Sequence, residues 1–268
     1  MKRILNYPGS KWKMADWIIE HMPNHETYLE PFFGSGAVYF NKPLSAVETI
    51  NDIDGRLVNM FRVMRDFPNQ LAAKVELTPY SRAEYDLSFE VAADPIEDAR
   101  RMLARCWFAI GGKTVSKSGW RCLISSNGPR VVADWNKIPD RIKLVSNRLK
   151  NTQIECFNAL DLIKRYNRPE VLIYADPPYV MDTRTSKHYQ YEMSNDEHCS
   201  LLEVLKDHKG PVLLSGYTHE LYSEKLKDWT LIKKDSTALG GAKRIESLWI
   251  NPIAAEQMTQ FNLFELEI

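Results

Sequence analysis

The chain has 268 residues, 44% apolar and 26% charged, and its 35 basic and 35 acidic side chains leave no net charge. Such a composition excludes a disordered or low-complexity chain and supplies the core of one large domain, or of a domain carrying an insertion. No apolar run reaches membrane-spanning length, residues 1–8 break before a signal-peptide core can form, and Cys106, Cys122, Cys156 and Cys199 follow neither zinc-site nor disulfide spacing; the expectation is a cytoplasmic protein with reduced thiols and no metal.

Met14, Trp17, Ile18 and Met22 recur at helical spacing and predict a first helix within residues 10–22. Tyr28 and Leu29 read as a short strand entering Glu30-Pro31-Phe32-Phe33-Gly34-Ser35-Gly36, with a helix expected from Ala37. Residues 46–50 form a second strand ending at Asn51-Asp52-Ile53-Asp54, and Leu57, Val58, Phe61 and Met64 stripe the helix that follows. This β-α-β-α opening predicts a parallel sheet covered on both faces.

The alternation lapses between residues 68 and 150. Helical patches occur there, chiefly over 96–108, with one hairpin signal: Asn127-Gly128 between the β-prone runs 122–126 and 129–133. Pro129 restricts the second run to an edge strand. From Arg100 to Lys150 twelve Lys and Arg face only Asp134 and Asp140, a net charge of +10 inside a neutral chain. Segregated basic charge of that size is the footprint of a polyanion-binding surface, although a solvated helical face produces the same count.

Alternation then resumes. Strands are predicted over 153–157, 171–175, 211–215, 229–233 and 245–250, with helices over 159–166, from Ser194, and over 219–226. Ser194 and Glu197 make a capping box at the start of the middle helix. The organisation is an α/β sheet domain, residues 1–67 and 151–268, interrupted by a basic, mostly helical subdomain, residues 68–150, that contains the hairpin.

Two motifs carry chemistry. Asp176-Pro177-Pro178-Tyr179 follows the apolar strand 171–175, where a buried strand ends. Each proline fixes its own φ and restricts the residue before it. The Asp176 carboxylate and neighbouring carbonyls are thereby preset as acceptors beside an aromatic face, an array suited to the exocyclic amine of an adenine. The other motif is the glycine turn of residues 32–36, where a ligand can approach the backbone, with Asp52 at an exposed end of the next strand, about where ribose hydroxyls would be held. Tyr39 occupies the third glycine position of a dinucleotide fingerprint, so the turn by itself is not specific.

Taken in order, these residues resemble the Dam-like, D12-class DNA adenine-N6 methyltransferases over essentially the whole chain. Tyr7-Pro8-Gly9-Ser10-Lys11 is similar to the family's N-terminal segment, with Ser10 where glycine is common; residues 30–36 are similar to its cofactor loop and 51–54 to its ribose-binding strand end. The resemblance implies a Rossmann-like S-adenosylmethionine-dependent methyltransferase fold with an inserted DNA-recognition subdomain. It implies a cofactor pocket of Tyr7, Lys11, Glu30, Phe32, Gly34, Gly36, Asp52, Asp161 and Asp176, and a catalytic loop of Asp176, Pro177, Pro178 and Tyr179. It further implies double-stranded DNA as partner, contacted by Lys113, Lys117, Arg121, Asn127 and Arg130, with a cognate restriction endonuclease as a second possible partner. Residues 111–121 depart from the enterobacterial GATC enzymes and are closer to phage members, so the setting is a bacterial nucleoid or a phage-infected cell. Lys11 would pair with the cofactor's carboxylate, and residues 180–193 would close over the flipped base.

Other readings explain part of the pattern. A cytosine-N4 methyltransferase uses related chemistry but more often begins the tetrapeptide with serine, and a protein-glutamine methyltransferase would favour asparagine. A nicotinamide dehydrogenase leaves Asp176-Pro177-Pro178-Tyr179 idle. A non-catalytic DNA-binding protein accounts for the basic segment alone.

Overall fold

Seven strands in one sheet, ordered β3-β2-β1-β4-β5-β7-β6, organise the chain. They are β1 (Thr27–Glu30), β2 (Val47–Asn51), β3 (Thr152–Glu155), β4 (Val171–Ala175), β5 (Val212–Gly216), β6 (Thr230–Thr237) and β7 (Lys243–Ile250). The computed structural model describes residues 1–112, 117–122, 130–180, 190–216, 218–237 and 243–265. Strands β1 to β5 pair in parallel, while β7 runs antiparallel to both β5 and β6. The order reverses between β1 and β4, and ligands of open α/β sheets bind beyond the carboxyl ends of the strands at that switch point.

The period-two alternation of each strand divides the core between the two sheet faces. Tyr28, Leu172, Tyr174 and Leu213 enter one apolar cluster, whereas Leu29, Ile173, Ala175, Val212 and Leu214 enter another. The second face is covered by α8 (Ala159–Arg165), α9 (Asn195–Lys206) and α10 (Glu220–Lys225). The Ser194 capping box forms as expected, its hydroxyl accepting from Glu197 N–H while the Glu197 carboxylate accepts from Ser194 N–H.

On the first face lies α2 (Gly55–Asp66), with α3 (Pro68–Glu76), α5 (Pro95–Phe108) and α7 (Ile138–Leu149) packed around it. Two shorter helices, α4 (Arg82–Leu87) and α6 (Val131–Trp135), lie in the same stretch, and α1 (Ala15–Ile19) and α11 (Pro252–Glu265) stand near the chain ends. Leu71, Val75, Met102, Leu103, Ile142 and Val145 share one apolar cluster with Ile4, Tyr28 and Leu172, so helices of the 68–150 stretch are seated on the sheet. Polar ties reinforce the joint: Arg148 binds Glu48 of β2, and Lys42 reaches the same carboxylate at 2.6 Å.

Three local expectations are corrected. No helix begins at Ala37; residues 36–42 make helical bonds from Phe40 N–H to Gly36 O and from Lys42 N–H to Val38 O, both 2.9 Å, and then stop. Pro43 disfavours the helical conformation at Lys42 and so ends the turn. The first helix is only Ala15–Ile19, shorter than the 10–22 pattern. The second arm of the hairpin is helix α6, in which Val131 and Trp135, four apart, bury on one side and Trp135 Nε1 donates to Thr78 O at 2.9 Å. Helical burial of that pair overrides the β propensity of Val131 and Val132. The Asn127-Gly128 turn and residues 123–126 lie outside the described residues.

Candidate active site

Glu30, Asp52 and Asp176 stand at or just past the carboxyl ends of β1, β2 and β4. Parallel pairing of these three strands brings together residues almost 150 positions apart in sequence. Asn51 stitches the loops: its Nδ2 donates to Pro31 O and Phe157 O, and its Oδ1 accepts from Phe157 N–H at 2.8 Å. The 51–54 motif contains this asparagine, but its stitching role is visible only once the loops are in place.

A cleft opens over these strand ends. Its wall includes Tyr7, Phe32, Gly34, Asp52, Asp176 and Pro178 from the sequence-derived set. A smaller cavity behind it is lined by Lys11, Glu30, Ser10, Ser35 and Tyr174, and Asp176 borders both. Ile53, Asn158 and Leu160, which flank the expected pocket residues Asp52 and Asp161, also face the cleft, and so do Tyr191 and Met193 of the 180–193 segment and Glu197. Ile53 is 47% exposed, an apolar side chain whose position directly after Asp52 is the one signal that could have found it.

Asp52 is more than a strand-end acid. Its Oδ2 accepts from Gly34 N–H and its Oδ1 from Asp54 N–H, both at 2.9 Å, so the carboxylate ties the glycine turn to the end of β2. Burial raises its pKa to about 6, against the opposing pull of these backbone donors. The helix-capping role belongs to Asp54, whose carboxylate accepts from Arg56 N–H and Leu57 N–H at the start of α2.

The two glycines of the turn have different roles. Gly34, at φ +49°, faces the cleft, and a Cβ there would rest 3.5 Å from the Tyr7 ring. Gly36, at φ +65°, is hemmed in by aromatic packing, because a Cβ would come within 2.4 Å of Phe33 and 2.7 Å of Phe40. Asp161 sits exposed on the first turn of α8, and Asn158 to Leu160, just before it, form the cleft wall.

Glu30 is buried and accepts a hydrogen bond from the Tyr28 hydroxyl at 2.7 Å. Burial, with the Asp176 charge adding to it, pushes its pKa up to about 8.

Asp176 is held by Lys11. The Lys11 ammonium lies 3.0 Å from Oδ2 and 2.9 Å from Oδ1, and it also donates to Gly9 O at 3.0 Å. The approach to Oδ1 is off the hydrogen-bond direction, so that buried oxygen keeps lone-pair capacity without a well-directed donor. Burial raises the Asp176 pKa, while the Lys11 charge and its hydrogen bond pull it down. Lys11 Nζ also stands 4.7 Å from the centre of the buried Tyr179 ring, and the Tyr179 hydroxyl donates to Glu246 Oε2 at 2.8 Å.

The basic stretch is less available than its count implies. Arg100 pairs with Glu84 and Glu97, Arg101 with Glu97, and Arg148 with Glu48. Arg105 and Arg141 are buried, the first beside the Phe89 ring and the second donating to Arg3 O. Lys117 lies 2.7 Å from Asp86 across an exposed pair, Arg121 is half-buried and Arg130 is exposed. Lys113 and Asn127 lie outside the described residues, as do Lys187 and Tyr189 of the segment expected to close over the base. Among the described residues no cluster of His, Cys, Asp and Glu could hold a metal ion, and no helix is long and apolar enough to cross a membrane.

Most of the chain matches known proteins. Residues 7–238 match the model of the D12 class N6 adenine-specific DNA methyltransferase family. The chain is 29% identical over 266 residues to the type II methyltransferase M1.LlaDCHI of Lactococcus lactis subsp. cremoris, an alignment covering 91% of this chain and 90% of that protein. It is 22% identical over 266 residues to the DNA adenine methylase of Escherichia coli K12, across 91% of this chain and 92% of that one. The DNA adenine methylase of Salmonella typhi is likewise 22% identical, over 270 residues.

Proposed function

The chain belongs to the D12 class of N6 adenine-specific DNA methyltransferases, and from that membership we propose that Asp176-Pro177-Pro178-Tyr179 receives a flipped adenine while the glycine turn, Asp52 and Tyr7 hold S-adenosylmethionine beside it. One observation carries the assignment: the two sequence motifs open into a single cleft at the sheet's switch point, with Asp176 on its border.

The residues present suit that cofactor. Each Asp52 oxygen bonded to a backbone N–H retains a lone pair for a ribose hydroxyl. Phe32, Ile53, Leu160 and Pro178 offer apolar surface for an adenine ring. Lys11, pointed at Asp176, acts in this reading on the catalytic carboxylate and not on the cofactor's own. When bound, the cofactor supplies an electrophilic methyl group on a positively charged sulfur.

The protein's own task is positional and electrostatic. The adenine N6 lone pair is conjugated into the ring and is a poor nucleophile. Asp176 Oδ1 and the Pro177 carbonyl accept the two N6–H bonds, which favours pyramidal geometry and frees the lone pair toward the methyl group. The methyl group would come with its carbon–sulfur electron pair left on the sulfur, and the N6 proton displaced by the new N6–carbon bond would leave through the accepting Asp176 oxygen to solvent. Tyr179 supplies the stacking face for a base that must leave the duplex.

The 68–150 segment is the target-recognition part of this proposal, with Lys113, Lys117, Arg121, Asn127 and Arg130 as contacts to double-stranded DNA. Charge reversal at Arg121 and Arg130 is expected to weaken DNA binding and reduce the salt slope by about 0.9 per lost phosphate contact, with cofactor affinity retained. Reversal at Lys117 should do less, because Asp86 already neutralises it. The check is a binding titration at several salt concentrations. The type II name of the Lactococcus relative supports a cognate restriction endonuclease as a second partner, and a cytoplasmic setting on nucleoid or phage DNA belongs to the same reading.

Asp52→Ala is expected both to weaken S-adenosylmethionine binding and to lower stability by about 1–3 kcal/mol, since it frees the Gly34 and Asp54 amides. Calorimetric titration and thermal melts read the two effects separately. The assignment as a whole is tested by transfer from methyl-labelled S-adenosylmethionine to duplex DNA, with identification of the product base. N6-methyladenine supports it; N4-methylcytosine or no transfer overturns it.

A further inference from the structure

Tyr179 is anchored at both ends. Pro177 and Pro178 immobilise the backbone leading into it, and at the far end its hydroxyl donates to Glu246 Oε2 at 2.8 Å. Glu246 lies on β7, opposite Lys234 of β6 and next to the last β5–β7 pair, Gly216 with Ser247. It shares a sheet face with Leu248 and Ile250, both buried in the cluster that contains Tyr174. The strand thus turns from core to carboxylate where the catalytic loop crosses it.

We propose that Glu246 is a positioning residue for methyl transfer: by accepting the single hydroxyl proton of Tyr179 it fixes the plane of the stacking ring and keeps that proton away from the Asp176 carboxylate. The inference rests on the reading of Tyr179 as the stacking face and Asp176 as the acceptor for the adenine amine.

A phenol has one proton to donate, and two carboxylates compete for this one. Glu246 Oε2 holds it at 2.8 Å; Asp176, three residues before Tyr179 and sensitive to both that hydroxyl and the Glu246 charge, is the other. A proton donated to Asp176 would occupy an oxygen that the adenine N6–H bond requires. Directed to Glu246, it leaves Asp176 with Lys11 as its donor and one poorly engaged oxygen facing the reaction. Without the tether the ring could also rotate about its side-chain bonds, and the base would stack on a surface of variable orientation. Lys11 over the ring restrains tilt but not rotation in the ring plane.

The test is single-turnover transfer with duplex DNA and S-adenosylmethionine saturating, alongside separate binding titrations and melts. Glu246→Ala should slow transfer about tenfold with little change in cofactor affinity, the loss expected for one hydrogen bond to a charged acceptor. Glu246→Gln, whose amide oxygen still accepts, should recover most of that loss. Tyr179→Phe keeps the ring but removes the hydroxyl, and Glu246→Ala or Glu246→Gln added to it should slow transfer no further. Losses that multiply in the double variants, or a Glu246→Gln enzyme as slow as Glu246→Ala, overturn the proposal. Should Glu246→Ala not fold, the Tyr179→Phe and Glu246→Gln pair completes the cycle. Tyr179→Ala separates the two levels: full activity in that variant removes the underlying stacking reading, whereas a slow Tyr179→Ala with multiplying losses elsewhere removes only the role of Glu246.

Discussion

Asp176→Asn is expected to lower single-turnover methylation by two orders of magnitude or more, on the order of 3 kcal/mol, with DNA affinity nearly unchanged. Lys11 makes the effect larger than isosteric replacement suggests. Its ammonium lies within 3.0 Å of both Asp176 oxygens and will hold the one oxygen the amide retains. The NH2 group is then left toward the base, donor against donor, so the adenine amine meets repulsion where it needs an acceptor. The measurement is transfer with DNA and cofactor both saturating, beside binding titrations for each. A near wild-type rate would count decisively against Asp176 as the acceptor.

Lys11→Met should give the second-largest effect, and its signature is a pH dependence. Burial raises the Asp176 pKa and Lys11 opposes that rise, so removing the ammonium moves the pKa further up. The carboxylate must be ionised to accept the amine. On the acidic limb of the profile a larger fraction is then protonated, and transfer there is expected to fall about tenfold or more, the effect of taking an opposite charge out of contact. Activity should recover as pH rises, with the acidic limb of the profile displaced to higher pH than in the unsubstituted enzyme. Stability follows the same linkage. A folded-state pKa above the unfolded one means the native protein binds more protons, so stability falls as pH climbs from the unfolded to the folded value. Lys11→Met widens that window. A loss of activity uniform across pH 6 to 9 would show that Lys11 serves something other than the charge of Asp176.

Much of this was open to reading in one dimension, because it depends on neighbours in sequence. Strand 171–175 and the rigid tetrapeptide after it, the glycine turn of 32–36 and the Ser194 cap are each set by local sterics and period-two or 3.6-residue burial. The parallel strand arrangement follows from alternating elements, since parallel neighbours require crossovers. Even the local errors have local causes: Pro43 ended the helix expected from Ala37, and the four-residue spacing of Val131 and Trp135 outweighed their β-prone surroundings.

What the tertiary structure alone decided is which partner each charged or polar group takes. Lys11 and Asp176 are 165 residues apart, and only the sheet order brings them within 3.0 Å. Tyr179 and Glu246 meet because β7 inserts antiparallel beside β5, a pairing that no periodicity announces. Five arginines of the basic stretch turned inward to carboxylates, carbonyls or aromatic rings, which a charge count along the chain cannot register. Residue type and spacing specify backbone conformation because their forces act over a few bonds. Electrostatic pairing acts through space, and its outcome waits on the distances that folding sets.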